Sequence, residues 1–282
     1  MGYMRFIHSF NTRPMAINCY DVGGLRRLLG NVWYFALSVA YIRRTGYPIV
    51  LHTDTLGAAL LGHLPYDDVR LTLDEMPDDL HPRFWAAGKM WALEAEGIGA
   101  VHIDGDVFIK RRELADDMAL SEWDFIAQHY ESSEWYEKEN VLFDRAPEIC
   151  AAHGLDPHRN GAYNTGVLGF RNETLLRYFI GGYNDLAIYF SRSHGAVLDS
   201  DNFLTPDVIL EQRRAYQLCA AHSSRVKLVL PGDTNHGAQA VAAGYQHVVT
   251  SRKFEQLDLC RSTLEKISPD IYHKTLKLCR NI

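Results

Sequence analysis

Short apolar runs alternate with longer stretches of helical spacing in the first half of the chain. Residues 5–10 and 48–53 are apolar runs bounded by polar residues, Gly or Pro, which is typical of strands. Between them, over 22–44, apolar residues recur every three or four positions and predict a helix. Another predicted helix over 82–96 precedes a strand region over 100–109. Strands that alternate with helices predict a βαβ chain and a mostly parallel sheet.

The second half of the chain has a less regular pattern. Strands are predicted over 124–129 and 163–170, and a long helix over 174–192. Thr205 and Pro206 are good residues for the start of a helix, which is predicted over 205–221. Residues 231–244 combine three glycines with other small residues and predict a mobile loop.

The predicted architecture is a mixed α/β fold, with a mostly parallel central sheet flanked by helices. No change in composition marks a linker, so we expect one domain of 282 residues whose two halves share the sheet. In this interpretation residues 1–110 form a nucleotide-binding half. Residues 111–255 form the donor-sugar and acceptor half, and residues 256–282 form a helical C-terminal tail.

Composition and charge exclude several classes of protein. Hydrophobic residues make up 47% of the chain and charged residues 23%, which excludes a disordered chain. The net charge of −6 provides no overall basic field, so no nucleic-acid partner is expected. The most apolar stretch, residues 32–42, is too short to span a bilayer. Five widely spaced cysteines without a C-x-x-C pair, and no apolar leader, predict a cytoplasmic protein with reduced thiols.

The most informative motif is Asp104-Gly105-Asp106, which follows the apolar run over 101–103. Residues i and i+2 of a strand share a face, so both carboxylates can point to one side. Two close carboxylates repel unless a cation lies between them, and oxygen ligands suit Mn²⁺ or Mg²⁺. Gly105 is expected to leave room for the close approach of a ligand. The alternative interpretation is an acidic turn after an edge strand.

Several segments, taken together, resemble the GT-A glycosyltransferases, and in particular the family-8-like bacterial sugar transferases. Asp104-Gly105-Asp106 stands as the D-x-D motif of that class. The other matching segments are His52-Thr53-Asp54, the helix around Lys89, the strand over 162–170, and His247 followed by Arg252 and Lys253. The Gly-x-x-Lys-Pro-Trp run of family 8 is not present after His247.

The resemblance implies a divalent metal, Mn²⁺ or Mg²⁺, as cofactor. Asp104 and Asp106 are the implied ligands, and Asp104 also lies near the ribose. His247 is implied as a further ligand by its position after the motifs. His236 and His273 stay alternatives, because the chain has 13 histidines and position in the sequence is what distinguishes them.

The resemblance also implies residues that bind the nucleotide-sugar. Asn164 is expected to hold the donor sugar, because its amide can both donate to and accept from hydroxyls. Lys89 and Lys253 are expected to contact the diphosphate. The other residues expected to bind the substrate are His8, Thr53, Asp54, Thr165 and Gly166.

An inverting transferase also needs a base for the acceptor hydroxyl. Glu211 is favoured for this role, because 207–212 resembles a helix of bacterial sugar transferases. Asp207 lies four residues earlier on the same predicted helix face. Asp201 is the second catalytic candidate.

The predicted activity is hexosyl transfer from a UDP-sugar to the hydroxyl of a glycan or of a lipid-linked acceptor. This implies a role in polysaccharide or glycoconjugate synthesis. The basic tail over 266–282 is compatible with contact at the inner face of a membrane, although a helix packed on the core is the simpler interpretation.

Two other functions stay open. One is a non-catalytic nucleotide-sugar-binding protein. The other is a haloacid-dehalogenase-like phosphatase that uses Asp104 as nucleophile and Asp106 beside it. Phe108, where that class expects threonine, argues against the phosphatase. A dinucleotide-binding oxidoreductase lacks its G-x-G-x-x-G motif here.

Overall fold

The structure of the protein is a computed structural model, which describes residues 4–16, 22–132, 134–200, 205–231, 238–248, 253 and 255–281. Within these residues the strands are β1 (Arg5–Phe10), β2 (Ile49–Thr53), β3 (Asp68–Arg70), β4 (Ala100–Ile103), β5 (Val107–Ile109), β6 (Phe125–Glu131), β7 (Ala162–Phe170), β8 (Val226–Leu228) and β9 (Tyr245–His247). The central sheet has the order β3-β2-β1-β4-β7-β6-β8, and β5 pairs with β9. The predicted fold class, a mixed α/β fold with a mostly parallel sheet, is confirmed.

Helices flank the central sheet. In chain order they are α1 (Arg13–Ala16), α2 (Val22–Thr45), α3 (Thr55–Leu61), α4 (Ala87–Glu96), α5 (Arg112–Leu120), α6 (Asn140–Phe143), α7 (Pro147–Ala152), α8 (Glu173–Ser200), α9 (Arg214–Ala221), α10 (Ala238–Ala243), α11 (Leu257–Ile267) and α12 (Pro269–Asn281). A π-helical segment, Val208–Arg213, precedes α9. Among the described helices, none combines the length and the apolar character that crossing a membrane requires.

The described chain divides into two compact units, and both are discontinuous in sequence. One unit contains the residues up to Asp74, His102–Leu120 and Ala238–Asn281, and the other contains Glu75–Val101 and Ser121–Pro231. We call them unit 1 and unit 2. The two halves predicted from the sequence are continuous, and their boundaries differ from those of these units. The organisation as a single domain stays a prediction.

Unit 1 is built on parallel strands covered by α2. Phe6 of β1 lies opposite Ile49 of β2, and β2 pairs in parallel with β3. Helix α2 buries Trp33 and Val39 completely, as the helical spacing of its apolar residues predicts. Gly46 follows the helix with a φ of 83°, a conformation that glycine adopts without a steric penalty. These features bring the chain from α2 directly into β2.

Unit 2 contains the antiparallel pair β6 and β7, and β8 runs parallel to β6. A register shift between Ala127 and His129 interrupts the β6–β7 ladder. It places His129 opposite Asn164, whereas Ala127 lies opposite Leu168. This irregularity therefore determines which residues of β6 lie opposite Asn164.

The predicted loop over 231–244 is in part a helix. Residues Ala238–Ala243 form α10, because the run Ala-Gln-Ala-Val-Ala-Ala is made of good helix formers. Gly244 ends this helix with a φ of 73°. Residues 232–237 lie outside the described residues. The expectation of an unstructured loop is wrong for 238–243.

Candidate functional site

The turn between β4 and β5 carries the two aspartates of the D-x-D motif in unit 1. Strand β4 ends at Ile103, and the Val107 amide donates to the Asp104 carbonyl at 2.9 Å, which closes the turn. The Asp106 side chain is 8% exposed, whereas that of Asp104 is 21% exposed. The Asp106 carboxylate is therefore buried, whereas the Asp104 carboxylate is partly exposed.

Strand β9 brings His247 to the same turn. It pairs with β5 so that His247 lies opposite Val107, and the Val248 amide donates to the Asp106 carbonyl at 3.1 Å. The Nε2 atom of His247 lies 3.6 Å from Oδ1 of Asp106. The pairing thus joins two segments that are about 140 residues apart in the sequence.

Asp104, Asp106 and His247 each offer one ligand atom, and these three atoms lie within 4.8 Å of one another. Among the described residues this is the group with the composition and spacing to hold a metal. Carboxylate and imidazole groups are both common ligands of divalent cations. The residues present therefore fit the divalent metal that the D-x-D motif implies.

Lys253 contacts the same group. Its Nζ atom lies 2.7 Å from Oδ2 of Asp106, and the two side chains are 25% and 8% exposed. The Tyr34 hydroxyl donates a hydrogen bond to the Lys253 carbonyl, which ties this residue to α2. An ammonium group therefore balances the more buried of the two aspartates.

Two histidines lie around the turn. His102 of β4 places Nδ1 at 3.8 Å from Oδ1 of Asp104, and its Nε2 contacts the Ser9 hydroxyl at 2.8 Å. His8 is fully buried, with Nδ1 at 2.8 Å from the Tyr66 hydroxyl and Nε2 at 3.1 Å from the Ser38 hydroxyl.

His8 is kept neutral by its surroundings. Burial lowers the pKa of His8 to about 3, although the negative charges of Asp104 and Asp106 act in the opposite direction. The Ser38 hydroxyl, which contacts His8, also donates to the Val107 carbonyl at 2.7 Å. The structure thus places His8 as a support for the β5 end of the turn. Its predicted contact with substrate stays a prediction.

The space beside Gly105 is filled by a side chain. A Cβ atom at this position would lie 2.4 Å from the Phe35 ring of α2. The expected room for a ligand on this side of Gly105 is therefore wrong. Glycine is needed here because the aromatic ring of α2 packs against the backbone of the turn.

The variant Gly105→Ala is expected to lower the free energy of unfolding by about 1–3 kcal/mol, because the added methyl group overpacks this contact. Urea unfolding measures the change. Gly181→Ala is a matched control in α8, where a Cβ would meet nothing within 4 Å, and it is expected to be neutral or stabilising. Equal stabilities of Gly105→Ala and the unmodified chain would show that Phe35 moves at little cost.

Thr53 and Asp54 stabilise the fold of unit 1. The Thr53 hydroxyl donates to the Phe10 carbonyl at 2.6 Å. Asp54 is the N-cap of α3 and accepts from the Gly57 amide at 2.7 Å. Its other oxygen accepts from the amide and the hydroxyl of Thr12, at 2.6 and 2.8 Å. These hydrogen bonds explain both residues structurally, and their predicted role in substrate binding stays a prediction.

Unit 2 contains a buried ion pair. Nζ of Lys89 lies 2.9 Å from Oε1 of Glu211 and also donates to the Thr165 carbonyl at 3.2 Å. The side chains of Lys89 and Glu211 are 4% and 0% exposed. Helix α4 presents Lys89, and the π-helical segment presents Glu211. Nζ of Lys89 also lies 5.5 Å from the centre of the half-exposed Trp85 ring.

Asn164 belongs to a second polar cluster in unit 2. Its Nδ2 donates to Oε1 of Glu131 at 2.8 Å, and its Oδ1 accepts from the Gly166 amide at 3.0 Å. Nε2 of His129 lies 3.1 Å from the same Glu131 oxygen, and the Tyr136 hydroxyl donates to Glu131 as well. Burial alone raises the pKa of Glu131. The hydrogen bonds from His129, Tyr136 and Asn164 outweigh it and lower the pKa.

With this geometry established, comparisons with known proteins place the chain in a family. A family of unknown function, DUF6734, matches residues 4–278. The chain belongs to DUF6734. No curated protein matches it. The solved structure of mouse xyloside xylosyltransferase 1, in its apo form, has a TM-score of 0.39 and 13% sequence identity. That comparison covers 83% of the DUF6734 chain and 86% of the mouse chain.

In this DUF6734 protein the predicted site residues fall into separate groups. Asp104, Asp106, His247 and Lys253 come together in unit 1. Lys89, Thr165 and Glu211 come together in unit 2, with Asn164 and Gly166 in the second cluster there. His273 lies exposed on α12. Asp201 and His236 lie outside the described residues, so their predicted roles stay predictions.

Sequence reasoning did not identify four polar residues of this DUF6734 protein that line these groups. Ser9 and His102 flank the metal-ligand group, and His129 and Glu131 hold Asn164. The signal for the second pair was the change from apolar to polar residues along β6, Phe-Ile-Ala-Gln-His-Tyr-Glu. The register that brings Glu131 to Asn164 depends on the irregularity in β6, and no local pattern marks it.

Asp207 lies four residues before Glu211 in this DUF6734 protein, and its surroundings shift its pKa. It is fully buried and accepts from the Tyr183 hydroxyl and from the Ala86 amide, the latter at 2.9 Å. Burial raises the pKa of Asp207 to about 7. The charge of Glu211 adds to the effect, and the two hydrogen bonds and Lys89 oppose it. The buried Asp207 carboxyl is therefore harder to ionise than a carboxyl in water.

The free energy of unfolding, relative to an Asp207→Asn variant, is expected to fall between about pH 4 and pH 7. The unfolded carboxyl loses its proton near its ordinary pKa of 3.8, whereas the folded one keeps it to about pH 7. The folded state thus binds more protons in this window, so stability decreases as pH rises and levels off above it. Urea unfolding of both proteins at several pH values measures this. A difference that is constant from pH 4 to pH 8 would contradict the prediction.

Proposed function

We propose that this protein is a metal-dependent glycosyltransferase, which moves a sugar from a nucleotide-sugar donor to a hydroxyl acceptor. The observation that carries the proposal is the group formed by Asp104, Asp106 and His247. It lies at the end of β4 in an open α/β sheet, and ligands of such sheets bind at the carboxyl ends of strands. The D-x-D spacing and the resemblance of the surrounding segments to GT-A transferases support the same class.

Asp104, Asp106 and His247 would hold Mn²⁺ or Mg²⁺. When bound, the ion would act as a Lewis acid that neutralises the negative charge developing on a nucleoside diphosphate leaving group. His8 and Ser38 would keep the turn in place, since they join β1, α2 and β5 by hydrogen bonds in the protein interior. His102, whose Nε2 contacts the Ser9 hydroxyl, would help to orient Asp104.

Asn164 would recognise hydroxyl groups of the donor sugar. Glu131 fixes the orientation of the Asn164 amide, because its carboxylate accepts a hydrogen bond from Nδ2 of Asn164. The Oδ1 atom of Asn164 then accepts from the Gly166 amide. His129 and Tyr136 hold Glu131 as a carboxylate. A polar side chain held by such a network needs no reorganisation on binding.

The catalytic base in this proposal is Asp201 or Glu211. The buried contact of Glu211 with Lys89 supports a structural role for that glutamate. It also supports a role for Lys89 in neutralising Glu211, beside its predicted contact with the diphosphate. Catalysis by Glu211 and diphosphate binding by Lys89 stay parts of the proposal, and substitution of each residue tests them.

The finer parts of the proposal concern substrate and location. A UDP-sugar is the expected donor, a hexose the expected sugar, and a glycan or lipid-linked hydroxyl the expected acceptor, in polysaccharide or glycoconjugate synthesis in the cytoplasm. Helix α12 carries exposed Lys274, Lys277 and Arg280 against Asp270, which is compatible with contact to an anionic membrane surface.

Thermal unfolding with a panel of nucleoside diphosphates, each with and without Mn²⁺, tests the proposal. A ligand at a hundred times its dissociation constant adds about 2.7 kcal/mol, which raises the melting temperature by several degrees. We expect UDP to raise it only when Mn²⁺ is present. If no nucleotide has an effect, the proposal fails. A shift with Mg²⁺ and beryllofluoride would then indicate a phosphatase.

A further inference from the structure

The ammonium group of Lys253 contacts one oxygen of the Asp106 carboxylate, which the divalent cation would also need as a ligand. Nζ lies 2.7 Å from Oδ2 of Asp106, while Nε2 of His247 lies 3.6 Å from Oδ1. Both oxygens of Asp106 therefore have a nitrogen beside them. The Asp106 side chain is 8% exposed, so a cation that binds it must share this confined space with the ammonium group.

The geometry points to Lys253 as a built-in counter-ion that competes with the divalent metal for Asp106, so that metal binding requires the ammonium group to leave this carboxylate. After leaving Asp106, the ammonium group would contact a phosphate oxygen of the donor, and this part of the inference rests on the proposed function. The competition itself rests on the observed contacts alone.

Charge explains why the two cations exclude each other. Asp104 and Asp106 contribute two negative charges, and Lys253 contributes one positive charge. A divalent cation added with Lys253 in place would put three positive charges around two carboxylates in a partly buried site, where repulsion is weakly screened. A lysine side chain is long and flexible, so rotation away from Asp106 relieves this repulsion.

The arrangement couples the metal to an anionic ligand. An anion that accepts a hydrogen bond from Lys253 removes the competitor of the metal and thereby raises metal affinity. By thermodynamic reciprocity the metal raises affinity for the anion by the same factor. The chain would thus bind the metal weakly alone and more tightly together with a diphosphate.

Mn²⁺ titrations followed by electron paramagnetic resonance of the free ion test the competition without any nucleotide. We expect Lys253→Met to bind Mn²⁺ about tenfold more tightly than the unmodified protein, because the competing charge is removed. Lys253→Arg keeps the charge and is expected to stay within about twofold. Lys266→Met, which removes an exposed charge on α11, is the matched control and is also expected to stay within about twofold.

Equal or weaker Mn²⁺ binding by Lys253→Met, with a circular dichroism spectrum like that of the unmodified protein, would overturn the inference. Repeating the titrations with saturating UDP tests the coupling. UDP should tighten Mn²⁺ binding less in Lys253→Met than in the unmodified protein, and an equal gain in both would overturn the coupling. If no nucleoside diphosphate binds at all, the proposed function fails, while the titrations without nucleotide still decide whether Lys253 competes with the metal.

Discussion

Replacing Lys89 by methionine is expected to lower the free energy of unfolding by about 3–5 kcal/mol, the largest effect on stability that we predict. The substitution keeps the length and most of the volume of the side chain, and it removes the ammonium group that faces Glu211 and the Thr165 carbonyl. Glu211 is fully buried, so its carboxylate would lose a charged partner in a site that water does not reach. Breaking a buried pair by removing one partner is costly for this reason.

Urea unfolding of three variants separates this cause from loss of packing. The double variant with Lys89→Met and Glu211→Leu removes both charges, and we expect it to recover most of the lost stability. Arg177→Met is the control for an ordinary ion pair. Its contact with Glu173 on α8 joins side chains that are 78% and 62% exposed, so the expected loss is below about 1 kcal/mol.

A loss of less than 1 kcal/mol in Lys89→Met would show that Glu211 does not depend on the ammonium group. A double variant that is as unstable as the single variant would show that packing, and not charge, explains the effect. In either case the structural role assigned to the pair would fail, and the predicted roles of Lys89 at the diphosphate and of Glu211 in catalysis would gain weight.

The elements that could be predicted from the sequence are those with a local pattern. The apolar spacing of α2, the short strands β1 and β2, and the strand that leads to Asp104 all bury the residues that their patterns predict. The mixed α/β class follows from their alternation. Helix α10 was missed, because the glycines around it outweighed the helix-forming run Ala238–Ala243 in the interpretation.

The partners of buried charges could not be predicted, because these contacts join distant parts of the chain. Lys89 and Glu211 are 122 residues apart, and each lies in a segment where a charge is typical of an exposed helix face. Glu131 reaches Asn164 only because the β6–β7 register shifts. His247 was found by its position after the motifs, while its approach to Asp106 depends on the pairing of β5 with β9.

The Asp106→Asn variant is expected to lose the stabilisation that Mn²⁺ confers on the unmodified protein. Asp106 lies beside both His247 and Lys253, and a neutral amide is a poor substitute for a carboxylate at a hard cation. At a hundred times the dissociation constant the metal adds about 2.7 kcal/mol. For a chain of this size that corresponds to about 5 °C in melting temperature.

Thermal unfolding with and without Mn²⁺ measures this loss, and Asp258→Asn is the matched control. Asp258 lies on α11 in the same unit with its side chain 97% exposed, so its variant should keep the full Mn²⁺ effect. The metal-free stability of Asp106→Asn should fall by about 1–3 kcal/mol, because the charge-assisted hydrogen bond between Lys253 and a mostly buried carboxylate is weakened. If Asp106→Asn retains the Mn²⁺ effect, the ion binds elsewhere. The turn after β4 would then be an acidic turn held together by Lys253, and the proposed transferase would lose the observation on which it depends.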